Sequence, residues 1–125
     1  MSVGAAIRIT SVNEERVIRH AVAFAAQQQV TCFVLSVVHK LPYGAATDEE
    51  RDVVRRNLAL IAELQASPVM QEGDDVVKTL RATAYGFGVQ TLFLQSGTSR
   101  LLGRSIAEQL IYLDPPFDVV IVSSE

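Results

Sequence analysis

The chain has 125 residues, 49% of them apolar, enough for one ordinary domain with one sizeable core. A formal charge of −3 leaves no footprint for nucleic acid or an anionic membrane, and the single cysteine, Cys32, excludes an intrachain disulfide and a cysteine-built metal cluster. The start, MSVGAAIRITS, lacks a charged region followed by a long apolar stretch, and no apolar run approaches the ~20 residues that cross a bilayer. The expectation is a single cytoplasmic domain over residues 1–125, without nucleic acid or direct membrane contact.

Ala5 to Thr10, AAIRIT, reads as a first strand, and Ser11 or Asn13 is placed to cap the helix that follows. From Glu14 to Gln28, Val17, Ile18, Ala21, Val22 and Ala25 recur on one helical face. Val30 to Val38, VTCFVLSVV, is short and uniformly apolar, the pattern of a strand buried on both faces. Pro42 and Gly44 then break the chain, and Thr47 with Glu50 has capping-box spacing ahead of a helix striped by Val53, Val54, Leu58, Leu60, Ile61 and Leu64.

Pro68 to Gln71 reads as a third strand, and an acidic turn opens a third helix carrying Val76, Val77, Leu80, Thr83 and Ala84, closed at Gly86 or Gly88. Val89 to Gln95 reads as a fourth strand. Leu101, Leu102, Ile106, Ala107, Leu110 and Ile111 read as a fourth helix, stopped at Asp114-Pro115-Pro116, and FDVVIVSS as a fifth strand. Five strands alternating with four helices predict an open α/β fold with a parallel sheet and helices on both faces.

Ligands of such sheets sit beyond the carboxyl ends of the strands. Three loops qualify by position: Thr10 to Asn13, Val38 to Tyr43, and Ser96 to Ser105, SGTSRLLGRS. In the third, Gly97 and Gly103 allow close backbone approach, Thr98, Ser99 and Ser105 offer hydroxyls, and Arg100 or Arg104 offers a charge-assisted pair to an anion. Glycine, serine and threonine are equally the residues of an ordinary strand-to-helix turn, so a phosphate site and a plain turn both stay open. The sequence has no G-x-x-x-x-G-K-[ST], no G-x-G-x-x-G and no G-x-S-x-G.

His20 and His39 have no partner at metal-ligand spacing, Cys32 lies in a buried-looking strand where a thiol is inert packing, and Ser36, Ser105 and Ser123 lack a base. No catalytic constellation emerges, and an enzyme is not expected. Asp52 with Arg55 and Arg56 reads as a solvated helix face.

The segments RVIRHAVAFAAQQQV, FVLSVVHK, ERDVVRRNLALIAEL, GDDVVKTLRATAYGFGVQTLFL and SGTSRLLGRSIAEQLIYLDPPFDVVIVSS together resemble the universal stress protein family over nearly the whole chain. DEERDVVRRNL with GDDVVKTL resembles the version in Kdp-type potassium-sensor histidine kinases. The resemblance implies the adenine nucleotide alpha hydrolase-like fold with strand order 3-2-1-4-5, and homodimers through the last strand, where Val120 and Val122 would lie. It also implies ATP on a G-x-x-G-x9-G-[ST] loop after the fourth strand, with an acidic residue after the first strand and backbone near Val38 at the nucleoside.

The chain departs from that pattern. Gln95 replaces the first glycine, Gly103 falls one residue early, Arg104 stands at the last glycine beside Ser105, and Thr10 and Ser11 stand where an aspartate is usual. The implied function is a universal-stress-type regulatory or signalling domain that binds ATP or another adenine nucleotide weakly or not at all, at Thr10, Ser11, Val38, Gly97, Thr98, Ser99, Arg100, Gly103, Arg104 and Ser105. The alternative is a sensory or interaction domain of a Kdp-type kinase, partnered by a kinase or transporter domain and taking a cyclic dinucleotide.

Overall fold

The computed structural model describes residues 1–38, 47–96 and 105–123, with the backbone of 100–101 and 104 between them. In chain order the elements are β1 (Ser2–Ile7), α1 (Glu15–Gln28), β2 (Thr31–Val38), α2 (Asp48–Glu63), β3 (Ser67–Glu72), α3 (Val76–Gly86), β4 (Val89–Gln95), β5 (Arg100–Leu101), β6 (Arg104–Ser105), α4 (Ile106–Tyr112) and β7 (Asp118–Val122). Five strands form one parallel sheet in the order β3-β2-β1-β4-β7, which is the expected 3-2-1-4-5 once the two-residue ribbon β5-β6 is set aside.

Alternation along the strands sorts the core into two layers. Val3, Ala5, Ile7, Val34 and Phe93 pack with α1 and α2, through Val17, Ile18, Ala21, Ala25 and Ile61. Ala6, Leu35, Leu92 and Leu94 pack with α3 and α4, through Val77, Leu80, Ala84, Ala107 and Leu110. Tilted aromatic pairs tie a helix or its end to the sheet on each side: Phe24 with Phe93 at 5.5 Å, and Phe87 with Phe33 at 4.9 Å.

The Thr47–Glu50 capping box forms as read, with the Glu50 N–H donating to Thr47 Oγ1 at 3.1 Å and the Thr47 N–H to Glu50 Oε1 at 3.2 Å. Asp75 caps α3 by accepting from the Lys78 N–H at 3.1 Å. Neither Ser11 nor Asn13 caps α1, because the Ser11 hydroxyl accepts instead from the Asn13 N–H, at 3.4 Å. Asp52 pairs with Arg55 at 3.1 Å on an exposed face.

Three elements differ from the sequence reading by more than one residue at an end. The first strand spans 2–7, not 5–10: Ser2–Gly4 pair with Thr31–Phe33, and Gly4 is there because a Cβ would meet Leu92 Cδ1 at 3.0 Å. Thr10 is therefore in a turn. Leu101 lies in β5, not in the fourth helix, which begins only at Ile106; Leu102 is outside the described residues. The last strand ends at Val122 and begins at Asp118, while Phe117 is a buried core residue ahead of it.

Cys32 is buried, and burial pushes its thiol up to about 11, in keeping with an inert packing role. Leu92 is fully buried at the centre of the α3/α4 layer. Leu92→Ala is expected to cost about 3 kcal/mol of stability, read from urea unfolding as a lower midpoint with an unchanged slope.

Candidate functional site

Parallel strands deliver all their carboxyl ends to one edge of the sheet. From β1 the chain turns to α1 on one face; from β4 it turns to α4 on the other. The two connections part between β1 and β4, which makes that gap the topological switch point. Ser36 stands in register with Ile7, the last residue of β1, and Gln95 follows Leu94, the partner of Ala6. Ser36, Ile7 and Gln95 thus mark one level across β2, β1 and β4.

By alternation with Val34 and Val38, Ser36 faces the α1/α2 side. It is 2% exposed, and its hydroxyl has no hydrogen-bond partner among the described residues. An orphaned buried hydroxyl at the carboxyl edge is the kind of group a polar ligand can satisfy. Gln95, two strands away on β4, is buried as well.

The loop from Arg8 to Glu14 is laced from inside. The Ser11 N–H donates to the Arg8 carbonyl at 2.9 Å, and the Arg8 N–H donates to Glu14 Oε1 at 3.3 Å. Asn57, on α2, donates from Nδ2 to the Ile9 carbonyl at 2.8 Å and to the Ser11 carbonyl at 3.0 Å. Buried backbone carbonyls need such partners, and here one side-chain amide serves two. Sequence reasoning assigned neither residue a role. Glu14 read as an acid of the first helical turn, but it is 2% exposed and folded back on its own loop. Asn57 is 7% exposed and lies on the apolar stripe between Val54 and Ile61, so a polar residue on an apolar face was the signal available.

The residues expected from the sequence fall into four groups. Thr10 is exposed and Ser11 half-buried, both at the switch point. Val38 closes β2, packs against the α1/α2 layer, and its carbonyl accepts from the Gly73 N–H at 3.0 Å, so that carbonyl is already engaged. Gly97, Thr98, Ser99 and Gly103 lie outside the described residues. Arg100 and Arg104 belong to the β5-β6 ribbon, paired Arg100 with Ser105 and Leu101 with Arg104. Ser105 caps α4, its Oγ accepting from the Glu108 N–H at 3.1 Å.

A second concavity, about 520 Å³, lies along α3 beside edge strand β3, lined by Gln71, Lys78, Thr79, Thr83 and Phe87 among others. It is open and shallow and sits away from the switch point. Among the described residues no group of three metal-ligating side chains comes together, and no helix is long and apolar enough to cross a membrane.

Burial raises the Glu14 pKa above its ordinary value of 4.5, more than the Arg8 N–H, the Ser11 side chain and the Arg8 charge lower it. The folded chain then holds this proton more tightly than the unfolded chain. The contribution of Glu14 to stability is therefore highest below the ordinary value and falls as pH rises through the raised one. Glu14→Gln keeps an acceptor for the Arg8 N–H and removes the buried charge. It is expected to melt at a higher temperature than the parent at pH 7, with the difference closing as pH approaches 4.5; a lower melting temperature at pH 7 would contradict this.

Neither a family model nor a curated protein sequence matches the chain. Solved structures do. A universal stress protein in complex with cAMP superposes with a TM-score of 0.70 at 16% identity over 98% of each chain. The universal stress protein of Archaeoglobus fulgidus gives 0.68 at 20% identity, over 97% of this chain and 92% of that one. A universal stress protein from Archaeoglobus fulgidus in complex with dAMP gives 0.66 at 19% identity, over 97% of this chain and 96% of that one. At these identities the likeness is one of fold: the chain has the fold of the universal stress proteins.

Proposed function

We propose that the chain is a cytoplasmic regulatory or signalling domain of universal-stress type that takes an adenine nucleotide weakly in the crevice between β1 and β4. The observation that carries this reading is the unpartnered, buried Ser36 hydroxyl at the carboxyl edge of the sheet, next to a loop whose carbonyls are held in place from within. Two proteins of this fold were solved with cAMP and with dAMP, each an adenine nucleotide with one phosphate. Thr10, Ser11, Ser36 and the end of β2 are assigned to the nucleoside, and the ribbon that pairs Arg100 with Ser105 to the phosphate. Pairing in the ribbon engages part of the backbone that a longer loop would offer to a triphosphate, so no preference for ATP is expected.

A second reading, the sensory domain of a Kdp-type kinase with a cyclic dinucleotide as ligand, draws support from two arginines in a loop where the family pattern has glycine. Calorimetry with AMP, cAMP, cyclic di-AMP and ATP with magnesium separates the readings. Weak saturable heats with AMP and cAMP are expected. Tight binding of ATP with magnesium would contradict the loop argument, and tight binding of cyclic di-AMP alone would favour the second reading.

We also propose a homodimer through β7, an edge strand paired only with β4 among the described residues. Val120 and Ile121 are 37% and 48% exposed there. Val122 is withdrawn from the interface expected for it, because it is 5% exposed and packs in the α1/α2 layer. In sedimentation, Val120→Glu or Ile121→Glu is expected to give monomer. Val122→Asp is expected to lose about 3 kcal/mol of stability or more, because it buries an unpaired charge. An unchanged dimer with Ile121→Glu would overturn the interface.

A further inference from the structure

Resting on the reading of the β1/β4 crevice as a nucleotide site, we infer that Asn57 is the positioning residue of that site, setting the loop Ile9–Ser11 from a helix that lies behind it. Little else fixes this loop. Of residues 8–13 only Ile9 is well buried; Arg8, Thr10, Val12 and Asn13 are exposed and Ser11 is half-buried. The bonds from Arg8 to Glu14 and from Ser11 to Arg8 close the loop on itself and do not tie it to another element.

Asn57 supplies that tie across 48 and 46 residues of sequence, with two protons on one nitrogen serving two carbonyls that flank Thr10. The geometry explains why an amide occupies a stripe otherwise made of Val54, Leu58, Ile61 and Leu64. A leucine of similar size would fill the volume and leave both carbonyls without a donor. It also means that the placement of Thr10 and Ser11 depends on where α2 sits. A shift of α2 moves the crevice wall with it.

The test uses the full chain with AMP as the probe and follows two readouts: amide hydrogen exchange at Arg8 and Ser11 by NMR, and AMP affinity by calorimetry. Asn57→Leu is expected to speed exchange at both amides by about tenfold or more while amides paired between β1 and β2 keep their rates. It is also expected to weaken AMP binding about tenfold. Ile61→Val, one turn along the same buried face, loosens packing without touching the two bonds and is expected to move neither readout. Loop exchange unchanged in Asn57→Leu overturns the inference, and so does a loosened loop with undiminished AMP affinity.

If the unmodified chain binds no AMP, the nucleotide reading fails on its own, and the exchange readout alone still decides whether Asn57 positions the loop. Should Asn57→Leu not fold, Asn57→Ser, which loses at least one of the two donors, takes its place with the same outcomes.

Discussion

Everything in this fold depends on the burial of β1. Every residue from Ser2 to Ile7 is buried, at the centre of a parallel sheet with a helical layer on each face. A strand in that position takes small or apolar residues on both sides, and VGAAI supplies them; Gly4 yields its Cβ volume to Leu92 and Val89. Because β1 has β2 on one side and β4 on the other, its carboxyl end is also where the sheet divides, and the loop that follows is forced into the one crevice the topology makes.

That constraint turns the polar residues near the end of β1 into the informative ones. Inside the layers the described side chains are almost wholly apolar. At the carboxyl edge Ser36, Asn57, Glu14 and Gln95 are all buried. Buried polar groups cost stability unless they are satisfied, so their concentration at one edge is not what packing alone would select. Asn57 is spent on two carbonyls and Glu14 on the Arg8 N–H, while the Ser36 hydroxyl has no partner among the described residues. The carboxylate of Glu14 sits within the loop that follows the first strand, near where the family resemblance places an acid, but it turns inward.

The element order was legible because each signal is local: helical spacing in α1 and α2, the Thr47–Glu50 box, uniform apolarity in β2. The errors came where a local pattern has no phase or a misleading one. FDVVIVSS is apolar at too many successive positions to say which residues face inward, so Val122 could be placed at the surface when it belongs to the core. Leu102 lies four residues before Ile106, at helical spacing, and Leu101 was read into the helix with it, yet β5-β6 pairs Arg100 with Ser105 and Leu101 with Arg104 instead. The start of β1 was missed because what fits Gly4 into the strand is Leu92 and Val89, residues far along the chain. The roles of Glu14 and Asn57 were hidden for the same reason: their partners are defined only once α2 lies against the first loop. That the three loops leave the carboxyl ends of the strands, in contrast, followed from strand order alone, although His39 to Tyr43 and much of SGTSRLLGRS lie outside the described residues.

Amide chemical shifts followed during an AMP titration distinguish a nucleotide at the switch point from one in the groove beside α3. Shifts concentrated at Ile9 to Glu14, Ser36 to Val38 and Gln95 to Ser105 are expected, with Gln71, Lys78 and Phe87 unmoved. Shifts centred on Gln71, Lys78 and Phe87, or none at the carboxyl ends of β1 and β4, would contradict a nucleotide at the switch point.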